Sequence, residues 1–195
     1  MTFTPNLHTK SEFRSYAKKI ISELDPKLRD QISLKVQDEI RKILQTKAAK
    51  KVISYRSDRW EIDIFPLVEE FPEITFFFPK IITSNERPTL KFLSTDSGWE
   101  RGNFGIWEPK EDFGTKEIHP SIVDLIFLPG LAFHEKGYRL GKGLGYYDQN
   151  LQEVPRKSIY AVIWEVCNGM PFPYEAHDIR AGFTISENGL NGFLD

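Results

Sequence analysis

The run Ile122-Val123-Asp124-Leu125-Ile126-Phe127-Leu128 is apolar except at Asp124 and is closed by Pro129-Gly130. A short continuous apolar run bounded by turn residues suits a strand covered on both faces, as in parallel sheets flanked by helices. Similar runs lie at Val52-Ile53-Ser54-Tyr55, at Ile74-Thr75-Phe76-Phe77-Phe78 (where Pro79 is expected to stop the strand), and over 159–166. Leu90-Lys91-Phe92-Leu93 alternates, and Phe183-Thr184-Ile185-Ser186 reads as a last strand.

Helices are expected between these runs. Thr9-Lys10-Ser11-Glu12 is a capping box opening a helix to about Leu24. Asp25-Pro26 starts a second, with Ile32, Val36, Ile40, Ile43 and Leu44 as one apolar stripe. A short helix carries Ile64, Leu67, Val68 and Phe71, with Pro66 in its first turn, and another passes through Tyr147 and Leu151. Residues 94–116 are polar and glycine-rich and read mainly as loop. Alternating strands and helices predict an α/β fold with a largely parallel sheet and a helical N-terminus.

The chain of 195 residues suits a single domain, and its 40% hydrophobic content supplies a core. A formal charge of −2 gives no overall basic footprint, so nucleic acid is not an expected partner. The one cysteine, Cys167, excludes an intrachain disulfide and reads as a buried, inert thiol. No apolar segment follows Met1 as in a signal peptide, and no run is long enough for a bilayer. A soluble cytoplasmic protein is expected. His8, His119, His134 and His177 lack metal-ligand spacing.

Downstream of the central run lies Arg139-Leu140-Gly141-Lys142-Gly143-Leu144-Gly145-Tyr146-Tyr147-Asp148. Alternate glycines free the backbone to approach a ligand, and consecutive N–H groups in such a turn form an anion-binding concavity. Arg139 and Lys142 would strengthen it for phosphate. It is not a P-loop, because Gly137 is one residue too near Gly141-Lys142, and Gly143 stands where Ser or Thr should hold the metal. Nor is it the dinucleotide fingerprint, since it reads Gly-x-Gly-x-Gly about ten residues after its strand. From spacing alone, a phosphate loop and a flexible surface loop both fit. Lys10 and Arg14, four apart on one helical face, suit either an anion between them or a solvated basic helix end.

The whole segment, Leu128 to Phe133 and Gly137 to Asp148, resembles the 5-formyltetrahydrofolate cyclo-ligase family, also called 5,10-methenyltetrahydrofolate synthetases. Lys10 and Arg14, Glu61-Ile62, Gly105-Ile106-Trp107-Glu108-Pro109 and His177-Asp178 match further family landmarks in order, so the resemblance spans essentially the full chain. It implies an open three-layer α/β sandwich. It also implies ATP-dependent closure of 5-formyltetrahydrofolate, including polyglutamylated forms, to 5,10-methenyltetrahydrofolate, with release of ADP and phosphate. A monomer acting on a small molecule, with no nucleic acid or membrane partner, is expected.

The resemblance also implies roles. Lys10, Arg14, Arg139, Gly141, Lys142, Gly143, Leu144, Gly145, Tyr146 and Tyr147 would bind the nucleotide, with Arg139, Lys142 and Tyr147 as the catalytic set. Arg56, Glu61, Trp107 and Tyr146 would bind the folate, and Asp148 would hold Mg²⁺. Trp107 could equally be a core residue, Tyr146 and Tyr147 packing residues, Asp148 a helix-end charge, and Glu61 the cap of its short helix. Three positions depart from the family pattern: Leu144 replaces a small or basic residue, Gln149 replaces Arg, and Gly182 stands where the family's C-terminal Asp, a metal ligand, is expected. Gly182 is the feature favouring an alternative, a non-catalytic relative that binds folate or nucleotide. A weaker option is a sugar-phosphate isomerase or CoA-transferase relative on a similar fold.

Overall fold

Thr9 starts the first helix: its hydroxyl accepts from the Glu12 N–H at 3.2 Å, and the Glu12 carboxylate accepts from the Thr9 N–H at 2.8 Å. The structure, a computed structural model, describes residues 7–83, 89–102 and 105–193. The elements in chain order are α1 (Lys10–Glu23), α2 (Pro26–Lys47), β1 (Lys51–Ile53), α3 (Leu67–Glu70), β2 (Thr75–Ile82), β3 (Thr89–Ser94), β4 (Trp99–Arg101), β5 (Trp107–Pro109), β6 (Glu117–Ile118), β7 (Leu125–Pro129), β8 (Ala132–Phe133), β9 (Arg139–Leu140), α4 (Tyr146–Asn150), β10 (Ile159–Val162), β11 (Phe183–Ser186) and β12 (Gly189–Gly192). Asp25 caps α2 through the N–H groups of Lys27 and Leu28, and the α2 stripe of Ile32, Val36, Ile40, Ile43 and Leu44 is buried. No helix among the described residues is long and apolar enough to cross a membrane.

The main sheet runs β12-β11-β10-β7-β1-β2-β3-β6. Its centre is parallel: β7 pairs with β1 and β10, β1 with β2, and β10 with β11. Antiparallel strands β12, β3 and β6 cover the edges. Every residue of β7 is buried, as the apolar run requires. Asp124 stays exposed, and its carboxylate accepts the Lys50 and Lys51 N–H groups at 2.8 and 2.9 Å, tying the starts of β7 and β1 together. From β1 the chain moves outward to β2, whereas from β7 it moves the other way to β10. The crevice beyond the carboxyl ends of β1 and β7 is therefore the topological switch point, where open α/β sheets bind ligands.

Five expectations need correction. Pro79 does not stop β2 but pairs with Phe92 inside it. Phe77 gives its carbonyl to Ser54 on the β1 side, so alternation puts the missing Pro79 N–H on that same side, beyond the end of β1. The stretch 94–116 holds the hairpin β4–β5, with residues 103–104 outside the described set. The strand expected over 159–166 ends at Val162, and Glu165–Cys167 is a 3-10 turn. The apolar stretch 122–128 begins as a strand only at Leu125, with Pro120–Ile122 forming a 3-10 turn. A further strand, β12, follows the expected last one.

Gly182 lies just before β11, donating its N–H to the Ile159 carbonyl and accepting from Phe193. A Cβ there would sit 2.3 Å from the Arg156 carbonyl oxygen and 2.8 Å from its carbon. Both are backbone atoms with no rotamer to yield. Overpacking costs about 1–3 kcal/mol, and in a chain of this size each kcal/mol lowers Tm by about 2–4 °C. Gly182→Ala is expected to lower Tm by several degrees in a thermal melt; an unchanged Tm would show that this contact does not constrain the fold.

Candidate active site

The loop that follows β9 has two sides, and its residues alternate between them. Gly141 and Gly143 face one cavity, of about 490 Å³, together with Lys10, Arg14, Asp148, Gln149, Gln152, Glu175, His177 and Asp178. Lys142, Leu144, Tyr146 and Tyr147 face another, of about 260 Å³, with Tyr55, Arg56, Glu61, Phe78, Trp107 and Glu108. Arg139 and Gly145 line both. One wall thus presents bare backbone to a polar cavity and side chains to a largely apolar one.

Arg139 holds this wall in place. Its residue is 8% exposed, Nε donates to the Pro129 carbonyl at 2.6 Å, and the guanidinium lies 4.8 Å from the centre of the Tyr147 ring. Pro129 ends β7, so the cation is tied to the carboxyl end of the central strand. Its Nη1 is 4.0 Å from Asp148 Oδ2, and the other Asp148 oxygen accepts the Ile179 N–H at 2.9 Å. Glycine at 141 lets Arg139 keep this position, because a Cβ would lie 2.3 Å from its guanidinium and displace it. Gly143 and Gly145 have φ of 112° and 68°, the left-handed region that favours glycine. The Arg14 Nε donates to the Gly141 carbonyl at 2.8 Å, fastening α1 to the loop.

In the polar cavity the Lys10 ammonium is 2.6 Å from Asp178 Oδ2 and 3.6 Å from Glu175. Glu175, His177 and Asp178 can converge on one point, although His177 has no metal-ligand spacing with the other histidines. Asp148 and Asp178 supply the hard oxygen donors that suit Mg²⁺, so the donor set fits that ion. Gly182 lines neither cavity; the carboxylates on this side are those of Asp148, Glu175 and Asp178.

In the second cavity Glu61 is 8% exposed and accepts the Asp58 N–H at 3.1 Å; it caps no turn of α3. Lys142 turns to it rather than lying among the glycines: Nζ is 2.7 Å from Glu61 and 2.8 Å from Asp58. Burial raises the Glu61 carboxyl above the usual range, and Lys142 only partly opposes this. Burial lowers the Lys142 ammonium, but Glu61 and Asp58 outweigh it and hold it above the ordinary lysine range. Burial likewise pushes the Tyr147 hydroxyl well above the usual phenol range, against the pull of Arg139, so it stays neutral. The Arg56 guanidinium lies 3.8 Å from the centre of the Phe65 ring and 5.3 Å from that of Trp99. Trp107 is 40% exposed, with Arg101 over its ring, so it is a cavity rim and not a core residue. Leu144 joins this apolar side and is half exposed.

Sequence reasoning missed Glu108, Tyr55 and Asp58. Glu108 is 4% exposed, with its carboxyl raised by burial, and it packs against Gly102 at the turn end of the β4–β5 hairpin. Its place in the matched Gly-Ile-Trp-Glu-Pro segment was the available signal. Tyr55 is buried and donates to the Ile62 carbonyl, which orders the 55–62 turn. Cys167, with its thiol pushed up to about 12 by burial, and His134, packed against Phe172 and Tyr174, lie outside both cavities.

The family model for the 5-formyltetrahydrofolate cyclo-ligase family matches residues 6–181. A 5-formyltetrahydrofolate cyclo-ligase of Haemophilus influenzae is 28% identical over 162 residues, covering 80% of this chain and 85% of the relative. The solved 5,10-methenyltetrahydrofolate synthetase of Aquifex aeolicus superposes with a TM-score of 0.81 at 31% identity, covering 95% of this chain and 93% of that one. The synthetase of Mycoplasma pneumoniae shares the fold, with a TM-score of 0.72 at 20% identity over 91% of this chain and 98% of that one. The chain belongs to the 5-formyltetrahydrofolate cyclo-ligase family and is, with it, a ligase.

Gly141→Ala tests the wall. Its Cβ meets the mobile end of a side chain, not backbone, so the guanidinium should shift while the fold survives. Affinity for inorganic tripolyphosphate, read by calorimetry, should fall by roughly tenfold, the loss of one charge-assisted contact. Tm should change by less than in Gly182→Ala. Unchanged affinity would show that the Arg139 position is immaterial to anion binding.

Proposed function

We propose that this member of the family uses ATP to close 5-formyltetrahydrofolate to 5,10-methenyltetrahydrofolate, releasing ADP and phosphate. The observation that carries the proposal is the shared wall: one loop divides a cavity suited to phosphates from one suited to a flat, apolar ring with polar edges. Residues of both come from α1, the turn after β1, the β4–β5 hairpin and the 175–178 turn, so the chain is read as one catalytic domain; a monomer working in the cytoplasm is part of the same proposal.

The formyl oxygen attacks the γ-phosphorus, and ADP leaves. N10 of the folate then attacks the formyl carbon, loses its proton, and expels phosphate with the former formyl oxygen. Phosphoryl transfer of this kind depends on positioning and charge neutralisation more than on a protein nucleophile. Lys10, Arg14 and the Gly141, Gly143 and Gly145 backbone would hold the triphosphate. Arg139, lining both cavities, stands where the transferred group must pass and would neutralise its charge, with Lys142 and Tyr147 on the folate side of the same wall. Glu61 would accept the pterin N–H donors, Arg56, Trp107 and Tyr146 would flank the ring system, and Leu144 would cover it. Asp148 and Asp178 would hold Mg²⁺, which neutralises phosphate charge when bound. Lys10, now on Asp178, would move to the phosphates.

Two observations support the catalytic reading over a non-catalytic relative. Gly182 is set by close backbone packing, and Asp178 supplies a carboxylate beside Asp148.

With 5-formyltetrahydrofolate, ATP and Mg²⁺, the purified protein is expected to produce the near-ultraviolet absorbance of the methenyl product; no rise at micromolar enzyme overturns the proposal. Arg139→Ala should weaken ATP by roughly tenfold to a hundredfold and Glu61→Ala should do so for folate, as expected for charge-assisted contacts. Asp148→Asn and Asp178→Asn should each raise the Mg²⁺ concentration needed for half-maximal rate. An unchanged requirement in Asp178→Asn would remove it from the metal site.

A further inference from the structure

We propose that Lys142 couples the two cavities: it leaves Glu61 for the nucleotide phosphates as the folate's ring donors take its place, so each ligand strengthens binding of the other. The inference rests on the functional reading above and adds a coupling between its two ligands.

The chain at Lys142 belongs to both cavities. Its neighbours Gly141 and Gly143 line the phosphate side, while its side chain lies on the folate side. The ammonium is held there by two carboxylates, Glu61 at 2.7 Å and Asp58 at 2.8 Å. Glu61 has its other oxygen on the Asp58 N–H at 3.1 Å, so Lys142 occupies the oxygen that a ring donor needs. Folate binding therefore has to share or displace this ion pair. The Lys142 side chain is one-third exposed, and the left-handed glycine at 143 follows it, so it can turn without unpacking the core. The loop around it is fastened: Arg14 holds the Gly141 carbonyl and Arg139 is bound to Pro129. The movable element is one side chain on a fixed frame.

The sign follows from the pairing. Without folate, a triphosphate that drew Lys142 away would leave Glu61 buried and unpaired, which is costly. Without nucleotide, folate donors that displaced Lys142 would leave it on Asp58 with its second partner gone. With both ligands bound, Glu61 and Lys142 each have a partner, and Asp58, one-third exposed and accepting the Trp60 N–H at 2.8 Å, is left to water. Coupling is thus positive, and linkage makes it equal in both directions.

The test measures 5-formyltetrahydrofolate binding to the full chain by calorimetry, with and without saturating Mg²⁺ and a non-hydrolysable ATP analogue, and the reciprocal titration. In the wild type each ligand should tighten the other by roughly 5- to 100-fold. Lys142→Met should reduce this ratio to about one, whatever it does to either affinity alone, while Lys142→Arg should retain most of it. Asp58→Asn, which loosens the tether, should strengthen nucleotide binding to folate-free protein and shrink the ratio, an effect that a purely structural residue would not produce. Independent binding in the wild type, or a wild-type ratio in Lys142→Met, overturns the coupling. If neither ligand binds, the functional reading fails and this inference with it; if both bind without mutual strengthening, this inference alone fails.

Discussion

A buried arginine tied to the end of the central strand sets the geometry of everything around it. Arg139 donates to the Pro129 carbonyl and stacks on Tyr147, so its guanidinium cannot drift into solvent. Burying a guanidinium is expensive unless it is hydrogen-bonded and paired, and this one has a carbonyl, a ring face and the nearby Asp148 carboxylate. In this position it leaves no room for a side chain at residue 141 unless the guanidinium moves, and the bare backbone there stays open to the polar cavity. The spacing of glycines is therefore a consequence of where the cation sits, as well as of what the backbone must bind.

Sheet topology supplies the other half. β1 and β7 are adjacent and parallel, and their following segments diverge. Tyr55, Arg56 and Glu61 follow β1, whereas Arg139 and the glycine loop follow β7. Neighbouring strands thus deliver to one crevice residues that are some eighty positions apart, and Lys142 bridges them by pairing with Glu61. The β4–β5 hairpin then closes the outer wall with Trp107 and Glu108.

Much of this was legible beforehand, for identifiable reasons. The capping box, the Asp25-Pro26 helix start and the apolar run into β7 are local signals, since each is decided within a few residues. The glycine loop was legible as a motif. What could not be read is non-local. The β4–β5 hairpin is polar and glycine-rich because one side faces solvent, so its sequence looks like loop. Pro79 could sit in β2 only because β1 ends short of it. Lys142 was expected among the glycines, but two carboxylates brought in by the turn after β1 draw it away. Gly182 looked like a lost ligand, although it is constrained by the backbone of Arg156.

The ion pairs in the cavities bear on how charge is handled on binding. Lys10 rests on Asp178, Lys142 on Glu61 and Asp58, and Arg139 beside Asp148. These cations are already largely withdrawn from water, so part of their desolvation cost is met during folding and not on binding. An anionic ligand entering such a site exchanges partners; it does not strip hydration from free ammonium groups. Each carboxylate released in the exchange needs a new partner of its own. On one side the donors of a ring can provide it, and on the other a divalent cation. A site built on exchange therefore favours ligands that bring both an anion and something to replace it, which is the pairing that a nucleotide with its metal and a pterin ring present.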